Sequence, residues 1–218
     1  MNINELKKKS GAKLFASVLG KSTIDSQSEG YKLLQNCVRL LVNKGFGIIH
    51  GGYAGGAMSA ASDAANEEIL RLNLPSEINI GVPQAQHDGL WDRVESAAFV
   101  DTANDIYDRL RVVVSGDIAL IASRGGDGTE LEENIIFHEN VIKMGMQAGG
   151  KETRKPTPII FLCLPGDTDW EKLIRIKMSL LDTSVKSPEE YDWIYFVNSI
   201  ETFSEVVNKL KNTYLSND

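Results

Sequence analysis

The segment Arg124-Gly125-Gly126-Asp127-Gly128-Thr129-Glu130-Leu131-Glu132 packs three glycines, a hydroxyl and a terminal carboxylate into one short stretch. It follows an apolar run, 117–122, and leads into a helical pattern. The first N–H groups of a helix have no partner inside it, and the helix dipole adds positive potential there. Gly125, Gly126, Gly128 and Thr129 therefore make a cradle suited to a phosphate. Glu132 falls about one helical turn further on, within reach of a sugar attached to that phosphate. A second reading exists: Thr129-Glu130-Leu131-Glu132 is also a capping-box pattern, with Thr129 as N-cap and Glu132 at N3. That reading gives Glu132 a helix-ending job but leaves the three glycines unexplained.

Two other glycine-bearing junctions compete for attention. Gly20-Lys21-Ser22 looks like the end of a P-loop, but Phe15 stands where that loop needs its first glycine, so a nucleoside-triphosphatase reading fails. The stretch Gly51-Gly52-Tyr53-Ala54-Gly55-Gly56-Ala57-Met58 permits positive φ and close backbone approach, which serves either a ligand or tight helix–sheet packing. Its spacing is not the G-x-G-x-x-G of dinucleotide folds, and no acidic residue follows at the right distance on a second strand. A nicotinamide oxidoreductase is thereby excluded.

Elements of regular spacing must hold these loops. Apolar runs at 13–19, 46–50, 79–82, 97–100, 117–122, 158–164 and 193–197 predict strands. Amphipathic stretches at 26–44, 55–71, 105–115, 129–144, 170–181 and 200–212 predict helices. In the first of these, Tyr31, Leu34, Cys37, Val38, Leu41 and Val42 fall on one face, and Lys44-Gly45 closes it. Strands alternating with helices imply right-handed crossovers and parallel pairing. The fold class expected is α/β, a doubly wound, mainly parallel sheet with helices on both faces, over one domain of residues 1–218. Ligands in such sheets bind beyond the C-terminal strand ends, here the loops after Leu19, His50, Val82, Ala122 and Leu164. Residues 145–157, with Gly149, Gly150 and Pro156, read as a solvated, mobile connection.

Composition narrows the partners. Lys plus Arg total 23 against 30 Asp plus Glu, a net charge of −7, which argues against broad contact with nucleic acid or anionic membranes. Any phosphate must be captured locally. The stretch 14–19 is too short to span a bilayer and makes a poor signal peptide, so a cytoplasmic location is expected. Cys37 and Cys163 sit in apolar runs as buried reduced thiols, and no Cys/His spacing suggests a metal site. His50 could meet a ligand, yet a histidine ending a strand is more often structural. His87, in the polar loop 84–89, could border a base pocket; His138 suits a helix–helix contact; Trp91 fits ordinary packing better than a pocket cover.

Taken together, GGYAGGAM resembles the GGGxxGLM segment of the LOG family, and GGDGTELE resembles the end of that family's PGGxGTxxE motif. The family comprises cytokinin-activating phosphoribohydrolases and bacterial relatives, many once labelled lysine decarboxylases. The resemblance runs from Lys13 to the helix around Val206, the middle and end matching by pattern only. It implies a Rossmann-like homodimer that cleaves the N-glycosidic bond of a nucleoside 5′-monophosphate to free base and ribose 5-phosphate, without metal or organic cofactor. It carries the family's catalytic glutamate onto Glu132 and its arginine onto Arg109, with Arg111 the neighbouring alternative. A lone helical arginine is more often a surface residue, so Arg109 rests chiefly on the resemblance. The remaining implied contacts to substrate and phosphate are Gly52, Gly55, Gly56, Met58, Gly125, Gly126, Gly128 and Thr129. Arg124 departs from the family's proline and would bring a cation beside the phosphate. Leu131, Leu110, Tyr53 and Ser59 are further departures, and they bear on which base is accepted. A rival expectation is a sensing module of the same fold that binds a nucleotide without turning it over. A decarboxylase fits poorly, for want of a lysine in a pyridoxal-phosphate context.

Overall fold

The computed structural model describes residues 2–84, 89–100, 105–151, 154–163, 168–179 and 191–215. Seven strands, β1 (Leu14–Leu19), β2 (Phe46–His50), β3 (Asn79–Gly81), β4 (Ala98–Phe99), β5 (Ile118–Ile121), β6 (Ile159–Leu162) and β7 (Ile194–Val197), pair in the order β4-β3-β2-β1-β5-β6-β7. Every pairing is parallel. The order runs one way from β1 to β4 and then jumps back to place β5 on the other side of β1. That reversal opens a crevice at the C-terminal ends of β1 and β5.

The pleat explains the two cores. Ala16, Val18, Ile118 and Leu120 face one side and pack with α2 (Glu29–Asn43), α3 (Gly56–Leu72) and α7 (Ile200–Leu215). Phe15, Leu19, Ala119 and Ile121 face the other and pack with α1 (Ile3–Ser10), α4 (Ile106–Val113), α5 (Asp127–Ala148) and α6 (Thr168–Ser179). Helices on both faces leave β5 and β6 buried throughout, which is why they read as unbroken apolar runs.

Some expected boundaries move. Helix α1 was not expected: Asn2 and Glu5 form a capping box, Leu6 is buried, and Lys7 Nζ donates to the Ser115 carbonyl at 2.8 Å. That short, polar helix is held by tertiary contacts rather than by its own pattern. Helix α5 starts two residues earlier than the apolar periodicity indicates and continues through Gly145, so 145–148 is helix rather than loop. Further on, the Thr157 and Arg154 backbones are held by hydrogen bonds from α5. Asn140 exchanges two 2.7 Å hydrogen bonds with the Thr157 backbone, and Gln147 donates to the Arg154 carbonyl at 2.7 Å. His87, the loop after Leu164 and the end of the 170–181 helix lie outside the described residues.

Candidate functional site

A cavity of about 200 Å³ opens at the crevice between β1 and β5. The end of β1 supplies Val18 and Leu19, and the turn after it supplies Gly20 and Ser22. Gly51 comes from the loop after β2, Met58 from α3 and Arg109 from α4. Gly126, Gly128, Thr129 and Glu132 come from the start of α5. Arg109 and Glu132 are the charged residues in this lining.

The start of α5 decides between the two readings of Glu132. The N-cap is Gly126, in extended conformation, and Thr129 is the third residue of the helix, not its cap. The capping-box alternative is therefore overturned. Glu132 points inward instead, its carboxylate 3.5 Å from the Arg109 guanidinium, with the two side chains 10% and 12% exposed. Burial pushes the Glu132 carboxyl up to about 7, and the facing Arg109 charge pulls it part of the way back. Glu133, the next residue, turns elsewhere and meets Lys177 of α6 at 3.0 Å.

Arg109 is placed by the helix that carries it. Asp105 caps α4 by accepting from the Asp108 N–H, while Leu110 and Val113 are buried. Ser17, buried in β1, donates to the Val113 carbonyl at 2.6 Å and locks the end of α4 against the sheet. Arg109 is then aimed across the strand ends, where Nε donates to the Val82 carbonyl at 3.0 Å and one terminal nitrogen donates to the Gly51 carbonyl at 3.4 Å. Arg111 lies exposed beside Asp108, and of the two arginines it is Arg109 that lines the cavity.

The loop after β2 is held from beneath. His50 is fully buried, donates from Nε2 to Asn79 Oδ1 at 3.0 Å and accepts the Gly52 N–H on Nδ1 at 3.1 Å. Burial lowers its pKa to about 4, against a smaller upward effect of Asn79, so the ring is neutral and structural. Asn79 in turn donates to Ser62 Oγ at 3.0 Å and to the Ser96 carbonyl at 2.9 Å.

Not every expected contact residue faces the cavity. Gly55 and Gly56 have positive φ and press against the Lys21 and Ser22 carbonyl groups, where a Cβ would collide. The Ala57 N–H donates to the Lys21 carbonyl at 3.0 Å, so the start of α3 grips the turn after β1. Gly52 packs on the Val82–Pro83 backbone. Gly125 lies against Thr129, and with Arg124 it borders a separate hollow of about 30 Å³ on the far side of the α5 start. Arg124 accordingly stands outside the cavity lining. Gly20 and Ser22 were missed as lining residues. Their failure as a P-loop hid their position at the end of β1, next to the α5 loop to which the Lys21 N–H is tied through Ser123 Oγ at 3.1 Å.

A larger hollow of about 280 Å³, lined in part by Pro158 and Trp193, lies at the N-terminal ends of β6 and β7, the wrong end of a parallel sheet for ligands. Among the described residues, no group of three or more His, Cys, Asp or Glu is arranged to hold a metal ion, and no helix is long and apolar enough to cross a membrane.

No family model and no curated protein matches the sequence. Solved structures do match. The molybdenum cofactor binding protein of Rippkaea orientalis superposes with a TM-score of 0.57 at 16% identity, over 92% of this chain and 99% of that one. The Moco carrier protein of Chlamydomonas reinhardtii gives 0.55 at 14% identity, over 92% and 99%. The structural-genomics target TM1055 gives 0.55 at 19% identity, over 90% and 99%. At such identities the likeness is one of fold: this chain has the Rossmann-like architecture these proteins share.

Proposed function

We propose that the chain is a nucleotide phosphoribohydrolase, hydrolysing the N-glycosidic bond of a nucleoside 5′-monophosphate to a free purine-type base and ribose 5-phosphate. One observation carries the reading: a buried carboxylate, Glu132, faces a partly buried arginine, Arg109, in a cavity that begins at a glycine-lined helix N-terminus. A buried ion pair is poor value for stability, since desolvating two charges costs as much as their attraction returns. Its presence at the topological switch point favours a chemical role.

In this reading Gly126, Gly128 and Thr129 hold the phosphate on the first N–H groups of α5. Gly125 acts from behind, leaving room for Thr129. Gly52, Gly55 and Gly56 shape the loops that border the ligand, and Met58 touches it. Phosphate binding, remote from the reacting bond, places C1′ of the sugar against Glu132. As the C1′–N bond breaks, its electron pair leaves with the base, which takes a proton from bulk water, and positive charge builds on the ring; the proton that Glu132 accepts is later returned to solvent. The Glu132 carboxylate stabilises that charge and takes a proton from the water whose oxygen bonds to C1′. Arg109 keeps the carboxylate oriented and favours its ionised form. The residues named need no metal or organic cofactor for these steps. The substrate is free nucleotide, not nucleic acid or membrane, and the location proposed is the cytoplasm.

A homodimer completes the proposal. Leu131, Ile142 and Met146 are exposed along α5, with partly buried Ile135 between them, a stripe that begins beside Glu132.

The test is incubation with a panel of nucleoside monophosphates and chromatographic detection of released base. Base and ribose 5-phosphate should appear with the parent chain and fall by at least about a hundredfold with Glu132→Gln, the scale of one lost catalytic group. Nucleotide bound but returned intact would make the protein a binding module instead.

A further inference from the structure

Beyond Met58 and Ser22 the cavity continues into a second hollow of about 530 Å³, bordered by Tyr53, Leu90, Trp91 and Asp92. Those two residues line both spaces, so a ligand whose phosphate and sugar occupy the first can extend into the second. The annex has an aromatic wall. Trp91 is 56% exposed and meets Tyr53 edge-on, ring centroids 5.4 Å apart.

This wall is built to stay in place. The Tyr53 hydroxyl donates to the Gln84 carbonyl at 3.1 Å and accepts the Gln84 N–H at 2.7 Å. The segment carrying Trp91 is stitched to the Gly52–Ala54 loop: the Ala54 N–H donates to Asp92 O at 2.8 Å and the Val94 N–H to Gly52 O at 3.1 Å. Tyr53 also has the Arg109 guanidinium 5.9 Å from its ring centroid, so one side chain touches both the charged cavity and the aromatic annex. An exposed tryptophan on a segment anchored by backbone bonds at Asp92 and Val94, its ring against Tyr53 at the mouth of a polar cavity, offers a stacking surface that needs little reordering to bind.

We infer that Trp91, backed by Tyr53, is the base-recognition surface, receiving a planar heteroaromatic base by stacking while the phosphate sits at the α5 start. The inference rests on the proposed nucleotide site and adds what selects the base. Stacking tolerates any planar ring, so purine nucleotides, with the larger faces, bind better than pyrimidine nucleotides.

The experiment compares the parent chain with Trp91→Ala and Trp91→Phe in calorimetric binding of adenosine monophosphate and of ribose 5-phosphate, alongside nucleotide-induced quenching of tryptophan fluorescence. Trp91→Ala should weaken adenosine monophosphate roughly ten- to a hundredfold, the scale of one base–aromatic stack, and leave ribose 5-phosphate unchanged. Trp91→Phe should largely restore affinity while losing the quench, which a merely structural tryptophan would not do. Unchanged nucleotide affinity in Trp91→Ala, or an equal loss for ribose 5-phosphate, overturns the inference. If base release continues in that case, the hydrolase reading survives alone. If nucleotide binds without release and Trp91→Ala weakens it, the base surface stands and the hydrolase reading falls. No binding of either ligand to the parent chain overturns both.

Discussion

At the scale of single residues, Glu132 makes opposing demands on stability and on chemistry. Its carboxyl titrates at about 7 in the folded chain against an ordinary 4.5, because burial penalises the charge more than Arg109 rewards it. A carboxyl raised on folding contributes stability that is fully present below its unfolded value and is lost as pH rises through the folded one. Glu132→Gln cannot ionise, so it should match the parent near pH 4 and exceed it near pH 8 by on the order of 1–3 kcal/mol. Urea denaturation at the two pH values reads the difference directly. Catalysis by the carboxylate runs the other way. Base release should be flat above about pH 8 and decline as pH falls through about 7, tenfold per pH unit once the carboxyl is protonated. A rate that climbs on the acid side would assign Glu132 the role of proton donor to the leaving base. His50 shows why residue type alone misleads: a histidine beside a glycine loop invites a catalytic reading, yet both its ring nitrogens are spent holding Asn79 and Gly52.

At the scale of elements, α5 joins the chemistry to the scaffold. Its first turns carry Gly128, Thr129 and Glu132, and its middle carries Asn140, fully buried and paired with the Thr157 backbone in both directions. Asn140→Ala leaves the partly buried Thr157 N–H and carbonyl without that partner, which should cost about 1–3 kcal/mol in thermal or urea unfolding. Base release at a temperature where the variant is folded should stay within about twofold of the parent, because the α5 start is held separately. The strands, helices α2 to α7 and the parallel arrangement were legible in the sequence because apolar runs and 3.6-residue periodicity report burial directly. Helix ends were less so. Asp127 and Gly128 look like loop by composition, but the helix already begins at Asp127, with Gly126 as its extended N-cap. What the pattern cannot encode is which loops converge. Gly20, Gly51, Arg109 and Glu132 meet only through the strand order, and the order follows from crossover packing, not from any local signal.

At the scale of the whole molecule, α5 is apolar on two sides. Ile136, Phe137 and Met144 enter the core, while Leu131, Ile142 and Met146 remain 43%, 47% and 40% exposed on the opposite side, with His138 between them. The exposed stripe spans about 22 Å at the rise of an α-helix, long enough to seat the same stripe of a second copy antiparallel across a two-fold axis. Such a contact is self-complementary, so one substitution acts twice. Sedimentation of the parent chain at tens of micromolar should report a dimer, and Leu131→Asp combined with Ile142→Asp should give a monomer with an unchanged circular dichroism spectrum. Leu131 adjoins Glu132 in sequence, and the exposed residues Ile106 and Tyr107 begin the helix that carries Arg109. Pairing through α5 would therefore cover the ground beside the cavity mouth and exclude water from it, strengthening the electrostatics inside. Base release by the monomeric variant should fall about tenfold or more in kcat/KM at protein concentrations where the parent is dimeric. A parent chain that sediments as a monomer, or a monomeric variant that retains full activity, would show that the stripe serves another surface and that each chain closes its site alone.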